Sequence, residues 1–224
     1  MGVNKSAYEK LMDEMKKWGA TLIAVSKTKP SEDIMELYAL GHRDFGENYV
    51  QELVKKQAEL PQDIRWHFIG HLQSNKIKMI AQFVHLIHGV DSIKLLEAID
   101  KEGRKLNKKI NCLLQVHIAQ EETKFGFDLT EARQAAAICY LENKYPFVHL
   151  CGIMGMASFS EDEALLKQEF SALKTLYDEI RTLYGADAAA FNTVSMGMSG
   201  DYPIALASGS NMIRVGSLLF GARG

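Results

Sequence analysis

Hydrophobic positions along the chain follow two rhythms that alternate from end to end. Residues 3–18 place Ala7, Leu11, Met15 and Trp18 on one face at helical spacing, which predicts an amphipathic helix. Residues 21–26, Thr-Leu-Ile-Ala-Val-Ser, are short, apolar and β-branched, and read as a buried strand. After Pro30, Ser31-Glu32-Asp33 opens a helix that Gly41 closes. The alternation then repeats. Further strands are predicted at 43–45 (a weak one), 64–69, 84–90, 110–118, 148–154, 191–195 and 212–215. Further helices are predicted at 49–60, 75–83, 92–106, 130–143, 161–184 and 202–207.

Eight strands separated by helices imply parallel pairing through βαβ crossovers. The expected fold is α/β, a (β/α)₈ TIM-like barrel with an extra N-terminal helix, as one domain over residues 1–224. An open doubly wound sheet is the alternative; it would want a glycine-rich turn after the first strand, and Ser26-Lys27-Thr28-Lys29 is not one. The formal net charge of −2 gives no nucleic-acid footprint and nothing that draws the chain to a membrane surface. No apolar run is long enough to span a bilayer. Residues 1–17 are too polar for a signal peptide, so the cytoplasm is the expected location. Cys112, Cys139 and Cys151 are odd in number and widely spaced, which predicts free thiols rather than disulfides or zinc ligands.

In a barrel of this kind the active site lies at the C-terminal ends of the strands. That rule selects Lys27, Glu47, Asn48, Gly70, His71, Asp91, the Lys124-Phe125-Gly126 loop, Met154 to Met156, Ser195 to Ser199 and Arg214 to Ser217. Lys27 has two readings. It can snorkel into water, or it can be a desolvated amine of lowered pKa, the form that attacks an aldehyde. Lys29 competes, but it precedes Pro30 and is expected in solvent. The Gly/Ser-rich stretches around Ser195, Met198 and Ser199, and around Gly216 and Ser217, are either plain turns or a phosphate cup after strands seven and eight. Arg214 sits inside an apolar strand and needs a partner, a core carboxylate or a ligand. His67 alternates with Trp66 and Phe68, which points it into the barrel, where it could meet a ligand. The histidines as a set are dispersed, and no pair has convincing metal spacing.

Several long motifs occur in order: Ala24-Val-Ser-Lys27-Thr-Lys-Pro30, Phe45-Gly-Glu-Asn48-Tyr-Val-Gln-Glu52 and Trp66-His-Phe-Ile-Gly70-His-Leu-Gln-Ser-Asn-Lys76. Then follow Gly152-Ile-Met-Gly-Met-Ala157, Ser195-Met-Gly-Met-Ser199 and Gly209-Ser-Asn-Met-Ile-Arg214-Val-Gly216-Ser-Leu-Leu-Phe-Gly-Ala-Arg223. From about residue 20 onward the chain closely resembles the pyridoxal phosphate homeostasis protein family. The resemblance implies an alanine racemase N-terminal-like barrel (PLP fold type III) with pyridoxal 5′-phosphate (PLP) at the strand C-termini. It implies a Schiff-base lysine at Lys27, an asparagine near the cofactor at Asn48, and an arginine facing the pyridine nitrogen at Arg214. Phosphate loops are implied at Ser195–Ser199 and Gly216-Ser217. The N-terminal region is shorter than in many relatives.

An arginine facing the pyridine nitrogen disfavours its protonation and weakens the ring as an electron sink. The chain is also expected to lack the second domain that supplies a further base in alanine-racemase-like enzymes. Both point to a protein that carries, buffers or delivers PLP in vitamin B6 balance, without robust catalysis. PLP-dependent apoenzymes are the expected recipients, and a monomer the expected state. Two competing readings are a PLP-dependent amino-acid racemase and a PLP-free barrel acting on a sugar phosphate through Lys27.

Overall fold

Asn4 opens α1 (Lys5–Trp18), its side-chain oxygen accepting the Ala7 N–H at 3.1 Å. Tyr8, Leu11 and Met15 form the buried stripe of this helix. Trp18, predicted on the same face, is exposed instead, because the helix ends there and Gly19 turns left-handed. The Asn4 N–H donates to the Leu219 carbonyl, so the first helix docks on the last. The computed structural model describes residues 2–121, 125–185 and 189–221.

The elements that follow are β1 (Thr21–Val25), α2 (Ser31–Ala39), β2 (Asp44–Glu47), α3 (Val50–Glu59) and β3 (Arg65–Phe68). A 3₁₀ turn (Ser74–Lys76) leads into α4 (Ile77–Ile80), β4 (Leu86–Val90), α5 (Ile93–Leu106), β5 (Ile110–His117), α6 (Leu129–Tyr140) and β6 (Val148–Met156). The last elements are α7 (Glu163–Tyr184), β7 (Thr193–Ser195), α8 (Tyr202–Ala207), β8 (Met212–Val215) and α9 (Ser217–Phe220). The eight strands close in sequence order into a parallel barrel, with β8 pairing back onto β1 from Thr21↔Met212 to Ala24↔Val215. The TIM-like fold read from the sequence is therefore the fold observed. No helix among the described residues is long and apolar enough to cross a membrane.

Two elements differ from expectation. β2 runs from Asp44 to Glu47 rather than over 43–45, because the polar Glu47 stays in register opposite Phe68. The helix predicted at 75–83 shrinks to the 3₁₀ turn and the single turn of α4. The chain is captured early by the barrel, where the His85 N–H already donates to the Trp66 carbonyl.

Among the described residues, buried apolar packing divides into two bodies. The larger lies between the barrel and its helices and includes Phe45, Phe68, Phe170 and Phe191, all fully buried. The smaller is a plug of Ile23, Leu86, Leu113, Met154 and Met212 inside the barrel. Polar side chains share the interior with this plug, and they organise the site.

Candidate functional site

Lys27 lies two residues beyond β1, on the alternation that points Ile23 into the barrel, and is half-buried. The turn that carries it is braced from outside. Thr28 has a left-handed φ of 64°, costly for a β-branched residue, and its N–H donates to Glu52 Oε1 at 2.7 Å. Lys56, buried on the inner face of α3, donates to the Ser26 carbonyl at 2.8 Å, to Glu47 Oε1 at 2.8 Å and to Glu52 Oε1 at 2.7 Å. Ser26 Oγ donates to Glu47 Oε1 at 2.6 Å. Glu47 therefore faces away from the barrel interior. It supports the lysine turn instead of joining the rim, where strand position alone had put it. Burial pushes the Glu47 carboxyl up, against the pull of Lys56. Lys29 is not in solvent as expected: its ammonium donates to the Phe220 carbonyl at 2.9 Å and ties the lysine loop to α9.

β8 presents Arg214 to the interior beside β1, where Ile23 is its register partner. The guanidinium is buried, and burial pushes its pKa down to about 10, so it remains a cation at neutral pH. Nη1 donates to the Ser195 carbonyl at 2.8 Å and to Ser195 Oγ at 2.7 Å, and Nη2 donates to the Gly155 carbonyl at 3.0 Å. No carboxylate among the described residues forms an ion pair with it. Ser195 is fully buried beneath Arg214, so its hydroxyl serves the arginine and is no free phosphate donor.

The remaining loop groups gather at the C-terminal ends of β7 and β8. Gly197 has φ 96°, and a Cβ there would lie 2.6 Å from that of Ala205. The Met198 N–H is already held by Asp201 Oδ1 at 2.6 Å, and its side chain is exposed. Ser199 Oγ, half-buried, accepts the Gly216 N–H at 3.4 Å. Ser217 is exposed at the start of α9. Gly216 packs so tightly on β1 that a Cβ would lie 3.2 Å from the Val25 carbonyl oxygen. One residue beyond β2, Asn48 follows Asp44 and Gly46 on the inward alternation; its Oδ1 is buried with no partner among the described residues. The fold thus brings Lys27, Asn48, Ser199, Arg214, Gly216 and Ser217 to one end of the barrel. Lys124 and Arg223, also named from the sequence, lie outside the described residues.

His67 does not join that group. Its Nε2 meets Asp44 Oδ1 at 3.2 Å and its Nδ1 meets His88 Nε2 at 2.9 Å. It faces a cavity of about 370 Å³ at the opposite mouth, walled by the first residues of several strands, including Thr21, Asp44, Arg65 and Thr193. At the C-terminal rim, His71 stacks on Phe125 with centroids 4.5 Å apart and pairs with Asp91 at 3.0 Å. Tyr49, Phe125, Phe159 and Met198, all exposed, follow strand ends at the same side. The three thiols are free, and burial pushes Cys151 up to about 11 and Cys139 up to about 12, which removes them as nucleophiles at neutral pH. Among the described residues no group of three or more His, Cys, Asp or Glu is placed to hold a metal ion.

Residues 5–224 match the family model described as alanine racemase, N-terminal domain. A pyridoxal phosphate homeostasis protein of Pasteurella multocida is 37% identical over 209 residues, covering 90% of this chain and 86% of its own. The protein of that name from Escherichia coli is 37% identical over 216 residues, covering 91% and 86%. This chain belongs to the pyridoxal phosphate homeostasis protein family. Its family neighbour PipY of Synechococcus elongatus, solved with PLP bound, superposes with a TM-score of 0.84 at 34% identity over 96% of this chain and 99% of that one. An alanine racemase from Clostridium difficile, 14% identical with a TM-score of 0.72, shares the fold; this chain covers 57% of it. Family membership agrees with the motif order around Lys27, Asn48 and Arg214 seen in the sequence.

Sequence reasoning missed Lys56. Its signal was present: Val50, Leu53 and Lys56 share one face of α3, and a lysine on an apolar stripe needs a partner.

Proposed function

We propose that this protein holds PLP as a Schiff base on Lys27 and acts in PLP (vitamin B6) homeostasis. One observation carries the reading: neighbouring strands bring the Lys27 amine, the buried Arg214 cation and the Ser199–Gly216 corner to the same end of the barrel. These residues fit the cofactor. The unsatisfied Asn48 Oδ1 is a buried polar atom awaiting a partner. Two of the five guanidinium N–H groups remain for a ring nitrogen after the three bonds above. Ser199, Gly216 and Ser217 supply small residues and hydroxyls suited to a phosphate. Bound PLP supplies an electrophilic aldehyde and an electron-withdrawing ring.

The chain's own residues set what is done with it. The brace of Lys56, Glu47 and Glu52 fixes the turn so that Lys27 points inward, which lowers the cost of ordering a long side chain. Arg214, cationic and unable to give up its proton at neutral pH, opposes a proton on a facing ring nitrogen. That favours holding the cofactor over driving carbanion chemistry. Exposed Tyr49, Phe125, Phe159 and Met198 around the rim offer contact area to PLP-dependent apoenzymes, the recipients we assign to a monomer in the cytoplasm. Incubation with PLP should give a visible absorption band that Lys27→Ala loses. Absence of a band in the unaltered protein would remove the reading, and robust racemisation lost in Lys27→Ala would replace it with an enzyme.

A further inference from the structure

Five polar side chains from five strands touch in series through the barrel interior. Arg214 Nη1 lies 2.7 Å from Ser195 Oγ, Ser195 Oγ 3.3 Å from His88 Nδ1, His88 Nε2 2.9 Å from His67 Nδ1, and His67 Nε2 3.2 Å from Asp44 Oδ1. The ends of this chain fix its direction. An arginine can only donate, and an ionised carboxylate can only accept. Asp44 is ionised: although burial opposes it, hydrogen bonds from His67 and Arg65 hold its carboxyl well below the usual carboxylate range. Arg65 clamps it through Nε at 2.7 Å and Nη2 at 2.5 Å.

Each contact needs one hydrogen, and with both imidazoles neutral only one arrangement supplies it throughout. Arg214 donates to Ser195, the serine hydroxyl donates to His88 Nδ1, His88 Nε2–H donates to His67 Nδ1, and His67 Nε2–H donates to Asp44. Both imidazoles then carry their proton on Nε2. The alternative, a cationic His67 donating to both Asp44 and His88 while His88 Nδ1–H donates to Ser195, would put a full charge on a buried ring. Burial opposes that charge and depresses both histidines, outweighing the pull of Asp44 on His67, with Arg65 near His67 and Arg214 and the exposed His85 near His88 adding positive charge. Lys108 adds charge on the His85 side.

We infer that His88, His67 and Asp44 are positioning residues for Arg214. They form a polarised chain that fixes its guanidinium and ends on a carboxylate at the opposite mouth of the barrel, while Asp201 acts on the same cation from the rim. Asp44 sits at that N-terminal mouth, in the wall of the 370 Å³ cavity. The electrostatics under the cofactor are thereby answerable to a carboxylate at the other end of the barrel. This rests on the PLP reading above for its consequence, but not for its proton order.

Nitrogen NMR of the histidines in the cofactor-free protein tests the order directly. His67 and His88 should both appear as neutral Nε2–H tautomers at neutral pH, taking up a proton only below the ordinary imidazole value of 6.5. Either ring seen as the Nδ1–H tautomer, or cationic at neutral pH, overturns it. The coupling is tested with Asp44→Asn, and with His67→Gln in case the first variant folds poorly. The Arg214 Nε–H resonance should shift in both variants without PLP. In the PLP-loaded protein, loss of the anionic end should lower the midpoint of the pH titration of the visible band by at least about half a unit, because Arg214 then repels the protonated imine more strongly. An unmoved Arg214 resonance or an unmoved midpoint refutes the coupling. If no visible band forms at all, the PLP reading falls and the role toward cofactor with it, while the histidine spectra still decide the chain itself.

Discussion

Lys56 is a buried lysine that braces the turn carrying Lys27. Its ammonium joins the Ser26 carbonyl to two carboxylates, one of which, Glu47, is fully buried. Lys56→Met would strand that carboxylate in the core. The expected loss is about 3–5 kcal/mol in denaturant unfolding, together with weaker PLP binding as the Thr28 turn loses its anchor at Glu52. The double variant Lys56→Met, Glu47→Leu should recover most of the stability, since no buried charge is left alone, but not the binding. Lys27 could be placed at the rim from strand count alone, and its role came from the motif it sits in. Glu47 and Ser195 were placed at the rim on the same rule but serve as supports. Position along a strand does not say whether a side chain faces the barrel or the helices until register is fixed.

At the scale of elements, the strand–loop units after β7 and β8 must keep their backbone for the site to form. Gly197 is the weak point: its φ of 96° and the 2.6 Å approach to Ala205 leave no room for a Cβ. Gly197→Ala should cost about 1–3 kcal/mol and push the Met198–Ser199 segment outward. A calorimetric titration should then show PLP binding weakened tenfold or more, with the Lys27 band still able to form at high PLP. Alternating strand and helix rhythms were plain in the sequence, and seven of the eight predicted strands keep their core positions, β2 being displaced by one or two residues. The element misread as a full helix, α4, was overruled by strand pairing that begins at His85. Local periodicity cannot see such tertiary capture.

Across the whole molecule, buried neutral histidines set an acid limit on stability. Burial depresses His42, His67 and His88 below the ordinary value of 6.5. The unfolded chain therefore takes up protons below about pH 6.5 that the folded chain refuses, so stability complete above that value is lost as pH falls. Asp44, held low, acts in the same direction below its ordinary 3.8. Glu47, raised, opposes both, because the folded state then favours its protonated form. The melting temperature should fall from pH 7 to pH 5. His42→Gln, which lies outside the interior chain, should flatten that fall; an unchanged slope would contradict the assignment. Of the interior polar chain, only the inward direction of His67 was legible in the sequence; its contacts were not. His67, His88, Asp44 and Ser195 are far apart along it, and only barrel closure puts them in contact. What was legible was the barrel itself and the end of it that carries Lys27.

The central claim is that Lys27 is the residue to which PLP is attached. Borohydride reduction of the PLP-loaded protein, followed by digestion and mass spectrometry, measures it most directly. The added pyridoxyl mass should lie on the peptide containing Lys27, with Lys29 and Lys56 unmodified. A label absent from Lys27, or found on another lysine in its place, would contradict the account.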